Sequence, residues 1–209
     1  MRLNGLMVVT SSRRQLRSTA TPEEQEDAIL AAATQEFTEV GVRRANMDEV
    51  ARRAGVSRST LYRRFRSKEE LLLGVARGVF EQLGARLAAV TRGHEPQAAV
   101  VEAFVEASRQ LGGDPLLRRW FTTEVEILGT LIDLMAGTEQ RLFDDAVLLV
   151  AGTLRHAGSV LPQQELETVS EVMVRVVGSL LQIHSTRVDI LDPESARGFA
   201  QRYLAPLVH

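Results

Sequence analysis

Three features of this 209-residue sequence predict an all-α fold. Helix-capping signals recur along the chain, apolar residues repeat at spacings of three and four, and no stretch alternates apolar with polar over a strand's length. Together they divide the chain into a basic arm over residues 1–20, a small three-helix unit over 21–67 and a larger helical domain over 68–209.

The arm is polar, carries Arg13, Arg14 and Arg17, and lacks periodicity, so it reads as flexible; Met7 is as good a start as Met1. It is either an idle tail or an extension that enters a minor groove. Thr21-Pro22-Glu23-Glu24 then supplies an N-cap, a proline at the first helical position and a capping-box glutamate. The helix that follows turns Ile29, Ala33, Phe37 and Val40 to one face, and Gly41 stops it. Asn46 and Glu49 form a second cap signal, opening a short helix that ends at Ala54. Gly55-Val56 is a tight turn, Ser57 caps a third helix to about Arg64, and Ser67-Lys68-Glu69-Glu70 opens a longer helix to about Val90. Beyond Gly93 the predicted helices span 96–111, 114–122, 124–135, 138–157, 164–186 and 193–206, punctuated by Gly112-Gly113, Gly137, Gly158 and Pro162.

Composition narrows the function classes. Apolar residues make up 44% and charged residues 25%, the balance of an ordinary globular chain, with no low-complexity tract. The absence of cysteine excludes disulfide scaffolds, thiolate metal sites and cysteine nucleophiles. No apolar run is long enough for a membrane span, so a cytoplasmic protein with no membrane partner is expected. His94, His156, His184 and His209 lack metal-ligand spacing, and no nucleotide-binding or hydrolase motif occurs; no metal, cofactor or catalytic residue is expected. The net charge of −2 conceals an asymmetry: residues 1–80 hold 14 basic against 10 acidic residues, whereas 81–209 hold 11 against 17. Within 43–68 nine basic residues face only Asp48 and Glu49, a localised basic footprint on an acidic chain. Lys68 is the sole lysine.

The stretch from Asn46 to Phe65 has the layout of a helix-turn-helix. Val50, Ala54, Val56 and Leu61 can pack inward, Ala51 is small enough for two helices to cross closely, and Gly55 can take positive φ. Arg58, Ser59, Thr60, Tyr62 and Arg63 then face outward from the second helix, with donors and acceptors suited to base edges and phosphates. Residues 22–71 resemble the DNA-binding domain of the TetR (tetracycline-repressor) family. The resemblance is carried by Ala51, Ala54-Gly55-Val56-Ser57, Thr60-Leu61-Tyr62, Phe65 and Ser67-Lys68-Glu69-Glu70-Leu71. It implies a homodimeric, all-helical transcriptional regulator that binds palindromic operator DNA and is released by a small-molecule effector. The implied DNA-binding set is Asn46, Ser57, Arg58, Ser59, Thr60, Tyr62, Arg63 and Lys68, with Tyr62 and Lys68 on phosphate. Arg63 and Arg64 depart from the aromatic residues or histidine frequent in relatives; whether Arg58 or Arg63 reads a base stays open. Arg52 and Arg53 read as a solvated face.

In the larger domain, Phe104, Trp120, Phe121, Leu128, Met135 and Phe143 are the candidate lining of an effector cavity, with Glu124, Glu126 and His156 as polar options. Val172, Val176, Ser179, Leu180 and Ile183 form a helical stripe that, with Phe199 and Tyr203, is the candidate dimer interface; an internal core would read the same way. The helix at 68–90 is the expected lever from effector to DNA. The competing reading is a helical protein-interaction module that keeps the fold without specific DNA binding.

Overall fold

The computed structural model describes residues 21–124, 126, 127, 129–131, 141–183 and 185–208; of Phe121, Arg141, Leu142, Leu181 and Gln182 only the backbone is described. The basic arm, most of the helix expected at 124–135 and the start of that expected at 138–157 lie outside these residues. The described residues are helical and contain no strand. The helices are α1 (Pro22–Val40), α2 (Met47–Ala54), α3 (Arg58–Arg64), α4 (Lys68–Val90), α5 (Pro96–Gly113), α6 (Pro115–Thr122), α7 (Arg141–His156), α8 (Gln163–Gln182) and α9 (Pro193–Phe199). They form two compact units divided between Val75 and Ala76, inside α4 rather than at its start.

In the first unit, the Thr21 box closes in both directions: Glu24 N–H donates to Thr21 Oγ1 at 3.2 Å and Thr21 N–H to Glu24 Oε2 at 2.7 Å. Ile29, Ala33 and Phe37 are fully buried along α1, whereas Val40, Ala54 and Val56 are half-buried. The core continues through Val50, Ala51, Leu61, Phe65 and, from the first turns of α4, Leu71, Leu72 and Val75. A Cβ on Gly74 would stand 2.9 Å from Leu30 Cδ2 and 3.0 Å from Phe65 Cε1, so glycine permits this close approach of α4.

The other two boxes depart from the sequence reading. Asn46 Oδ1 accepts from Asp48 N–H at 2.8 Å, but Glu49 does not reach back to Asn46. Its carboxylate instead accepts from Arg52 Nε at 2.8 Å and Arg53 Nε at 3.0 Å, because charged donors bind a carboxylate more strongly than a backbone amide. Glu36 Oε1 takes the Asn46 N–H at 3.3 Å. At α4, Glu70 N–H donates to Ser67 Oγ at 3.2 Å, but Glu70 Oε2 accepts from Arg66 N–H, one residue upstream of the box partner.

Arg53 is not a solvated residue but the hub of this network. Its guanidinium stands 3.3 Å from the buried Glu36 carboxylate, 2.7 Å from Glu39 and 3.0 Å from Glu49, joining α1 to α2. The contact to Glu36 Oε2 is an ion pair without hydrogen-bond alignment. Hydrogen bonds from Arg52, then Arg53, hold the Glu49 carboxyl down to about 2 from the usual 4.5. Arg53 and Gln35 lower Glu39 as well.

The second unit is organised around Val101, Phe104 and Val105 of α5, Leu154 of α7, Leu166 and Met173 of α8, and Ala196, Ala200 and Leu204 near the C-terminus. Arg197 donates to both oxygens of Glu102, at 2.6 and 3.0 Å, fastening α9 to α5. Arg155 clamps the α7–α8 connection through the carbonyls of Ser159 and Leu161. The helix expected over 164–186 ends at Gln182, where Ile183 turns extended. The one expected over 193–206 is α9 followed by a π turn at Ala200–Leu204 and a 3-10 turn at Ala205–Leu207. Pro206 has no N–H to donate and its ring clashes with a regular α turn, so the helix changes pitch there.

Two outcomes follow. Phe37→Ala removes a fully buried ring and should destabilise the protein by about 3–5 kcal/mol in urea unfolding. Because folding depresses the Glu49 carboxyl to about 2, its stabilisation is present above pH 4.5 and is lost as pH falls toward 2. The stability gap between the natural protein and Glu49→Gln should therefore narrow steadily over that interval; a constant gap would refute the linkage.

Candidate nucleic-acid interface and effector cavity

The turn between α2 and α3 is set by Gly55, at φ 71° and ψ 21° in the left-handed region that L side chains enter at a cost. Ser57 Oγ then accepts the Thr60 N–H at 3.0 Å, starting α3 immediately after the turn. Leu61 is fully buried and fixes which way the helix faces. At 100° per residue, Ser59 and Arg63, four apart, project opposite Leu61, with Tyr62 beside them and Arg58 further round on the same side as Tyr62. Tyr62 is exposed, as are Arg58, Ser59 and Arg63.

The eight proposed DNA-contacting residues differ in how free they are. Arg58 pairs with Asp48 at 3.1 Å, and its guanidinium carbon lies 5.5 Å from the centroid of the Tyr62 ring. Arg63 has no hydrogen bond or ion pair among the described residues, which leaves its full donor fork available. Ser57, Ser59 and Thr60 cluster through their hydroxyls at 2.8–2.9 Å beside the cap. Asn46 uses its side-chain oxygen as an N-cap. Lys68 Nζ donates to the carbonyls of Arg43 at 2.9 Å and Ala45 at 3.5 Å, holding the α1–α2 connection while keeping one N–H for an anion. Arg64 turns inward, 4.0 Å from Glu26. The structural pair Glu36–Arg53 was missed in the sequence; the Glu49/Arg53 spacing of four residues was the available signal.

In the second unit a cavity of about 220 Å³ lies among α4, α5, α7 and α8. Its described lining includes Phe80, Leu83, Leu87, Val100, Ala103, Phe104, Ala107, Leu149, Thr153, Leu154, Met173 and Val177. Of the six residues expected from sequence, Phe104 is in this lining. Trp120 is buried elsewhere, its indole N–H without a hydrogen-bond partner among the described residues, and Phe143 lies under the Arg175 guanidinium at 4.8 Å. Leu128, Met135 and the Phe121 side chain are outside the described residues. Among the polar options, Glu124 is buried and pairs with Arg119 at 3.6 Å, while exposed His156 hydrogen-bonds the Gly152 carbonyl.

The candidate dimer stripe is partly core. Val176, Leu180 and Phe199 pack against the buried cluster, whereas Val172, Ser179, Ile183 and Tyr203 are exposed, Ile183 by 73%. Phe104, Phe199 and Tyr203 form a run of ring contacts at 5.7 and 5.3 Å leading from the core to the surface. Among the described residues no helix is long and apolar enough to cross a membrane, and no cluster of metal-ligating side chains occurs.

Residues 29–75 match the family model "Bacterial regulatory proteins, tetR family". The chain is 31% identical to the HTH-type transcriptional regulator RutR of Escherichia coli K12 over 138 residues, which span 65% of this chain and 64% of RutR, less than two thirds of that relative's length. It is 40% identical to the HTH-type transcriptional activator FasR of Mycolicibacterium smegmatis over 88 residues, 40% of each chain. The solved TetR-family repressor AlkX of Dietzia sp. has the same fold, with a TM-score of 0.65 at 20% identity over 87% of this chain and 93% of AlkX. The helix-turn-helix of residues 46–65, the outward-facing α3 and these likenesses agree: residues 29–75 form a domain similar to that of the tetR family of bacterial regulatory proteins.

Proposed function

We propose that this protein is a cytoplasmic, sequence-specific DNA-binding transcriptional regulator, a homodimeric repressor of palindromic operators that a small-molecule effector releases. The observation that carries the reading is the outer face of α3. Ser59, Tyr62 and Arg63 are presented to solvent on a helix whose orientation is fixed by buried Leu61, inside a domain of the TetR family. Arg63 and Arg58 are the base readers; each bidentate contact to guanine contributes roughly 1–3 kcal/mol of discrimination. Tyr62 and the remaining N–H of Lys68 bind phosphates, which sets register without reading sequence. Asn46, Ser57 and Thr60 hold the two helix starts that aim these groups.

Two recognition helices must reach successive major grooves roughly 34–36 Å apart, so the reading requires a dimer. The exposed Val172, Ile183 and Tyr203, continuous with packed Val176, Leu180 and Phe199, support this face as the interface. Effector binding in the cavity acts on α4, which lines it through Phe80, Leu83 and Leu87 and is continuous with the DNA-binding unit. An effector shifts the equilibrium only by binding the non-operator form more tightly.

Selection from a random duplex pool should enrich an inverted repeat; no enrichment by folded protein at low salt would overturn the proposal. Arg63→Ala should relax the preference at one position of each half-site. Lys68→Ala should weaken binding to all sequences and flatten its salt dependence. Val172→Glu with Ile183→Glu should give a folded monomer by light scattering with little operator affinity.

A further inference from the structure

The effector cavity has a chemistry of its own. Its described lining is aliphatic and aromatic, with Thr153 as the one hydroxyl, and that hydroxyl already donates to the Leu149 carbonyl at 2.8 Å. No charged side chain is among the described lining residues. Phe80 and Leu149 also line an adjoining surface cleft, flanked by Arg77, Glu81 and Asp145. Ionic groups thus stand at the outer cleft, and none of the described lining residues of the inner chamber would compensate a charge removed from water.

Building on the effector-responsive reading, we propose that the effector is an uncharged hydrocarbon-like molecule whose whole body enters the inner chamber. Size follows from volume. A dry apolar cavity of about 150 Å³ accommodates benzene, so by proportion the 220 Å³ here suits a body of roughly nine carbons. Phe80 and Leu149 line both this chamber and the cleft. An amphiphile whose ionic head stays in the cleft is the opposing case: two carboxylates and one guanidinium there present both signs of charge.

Calorimetric titration of the full chain with matched probes separates these cases. Naphthalene and n-octane should bind, whereas 2-naphthoate, octanoate and octylammonium should bind at least ~100-fold more weakly. Ala107→Phe, which fills the chamber, should abolish naphthalene binding with the circular dichroism unchanged. Thr153→Val should preserve the affinity within about twofold, because the hydroxyl is engaged with the backbone. Equal affinity for a charged probe and its neutral counterpart, absence of neutral binding, or loss of binding in Thr153→Val would overturn the assignment. Operator release is read separately: naphthalene that binds without releasing DNA contradicts the effector-controlled regulator and leaves the cavity's chemistry standing. A charged probe that binds and releases DNA does the reverse.

Discussion

A buried carboxylate governs the N-terminal unit. Glu36 is 4% exposed on α1, and its charge is met by Arg53 of α2 while its other oxygen holds the Asn46 amide. An ionised carboxylate out of water is tolerable only when paired and hydrogen-bonded, so α2 has little freedom to rotate or slide on α1. Glu39 and Glu49 complete the shell around the same guanidinium. The candidate recognition surface is connected to this pairing: α2 leads through Gly55 to α3, and Leu61 then turns α3 so that Arg63 faces out.

The polar residues near α3 divide between construction and contact. The Ser57 hydroxyl and the Asn46 amide oxygen are engaged in starting helices, the Thr60 hydroxyl pairs with Ser57 Oγ, and Lys68 spends two donors on the carbonyls before α2. Arg63 is unengaged among the described residues, and Arg58 is restrained by one exposed ion pair and by Tyr62. An exposed pair of this kind is worth little in water, so Arg58 can exchange Asp48 for a nucleic-acid acceptor at small cost. The presentation of two arginines in different states of readiness is a property of side-chain partners, not of the motif.

The second unit carries ion pairs beside an apolar volume, with Glu106 and Glu124 themselves buried. Arg197–Glu102 and the Arg155 clamp tie helices and connections together, and α4, α5, α7 and α8 line a chamber whose described lining is apolar apart from Thr153. The aromatic run from Phe104 through Phe199 to Tyr203 connects one wall of that chamber with the exposed apolar stripe. Core, chamber and candidate interface therefore share residues, and a change in one alters the packing of the others.

The sequence by itself determined the helical class, the starts of α1 to α4, the helix-turn-helix and the exposure of Arg58, Ser59, Tyr62 and Arg63 on α3, whereas Thr60 of the expected outward set is half-buried. Those features depend on local chemistry: a cap bonds two or three residues ahead, and a helical face follows from the 3.6-residue period. Tertiary structure decided what local rules cannot reach. Arg53, which resembles a surface arginine in sequence, becomes a hub because Glu36 and Glu39 come from a different helix. Trp120, the most conspicuous residue of its region, stands away from the chamber, while small Ala103 and Ala107 line it, since a void is created by the spacing of helices rather than by the size of one side chain. Pairing across elements and the shape left between them depend on how the helices pack together, and that information is distributed over the whole chain.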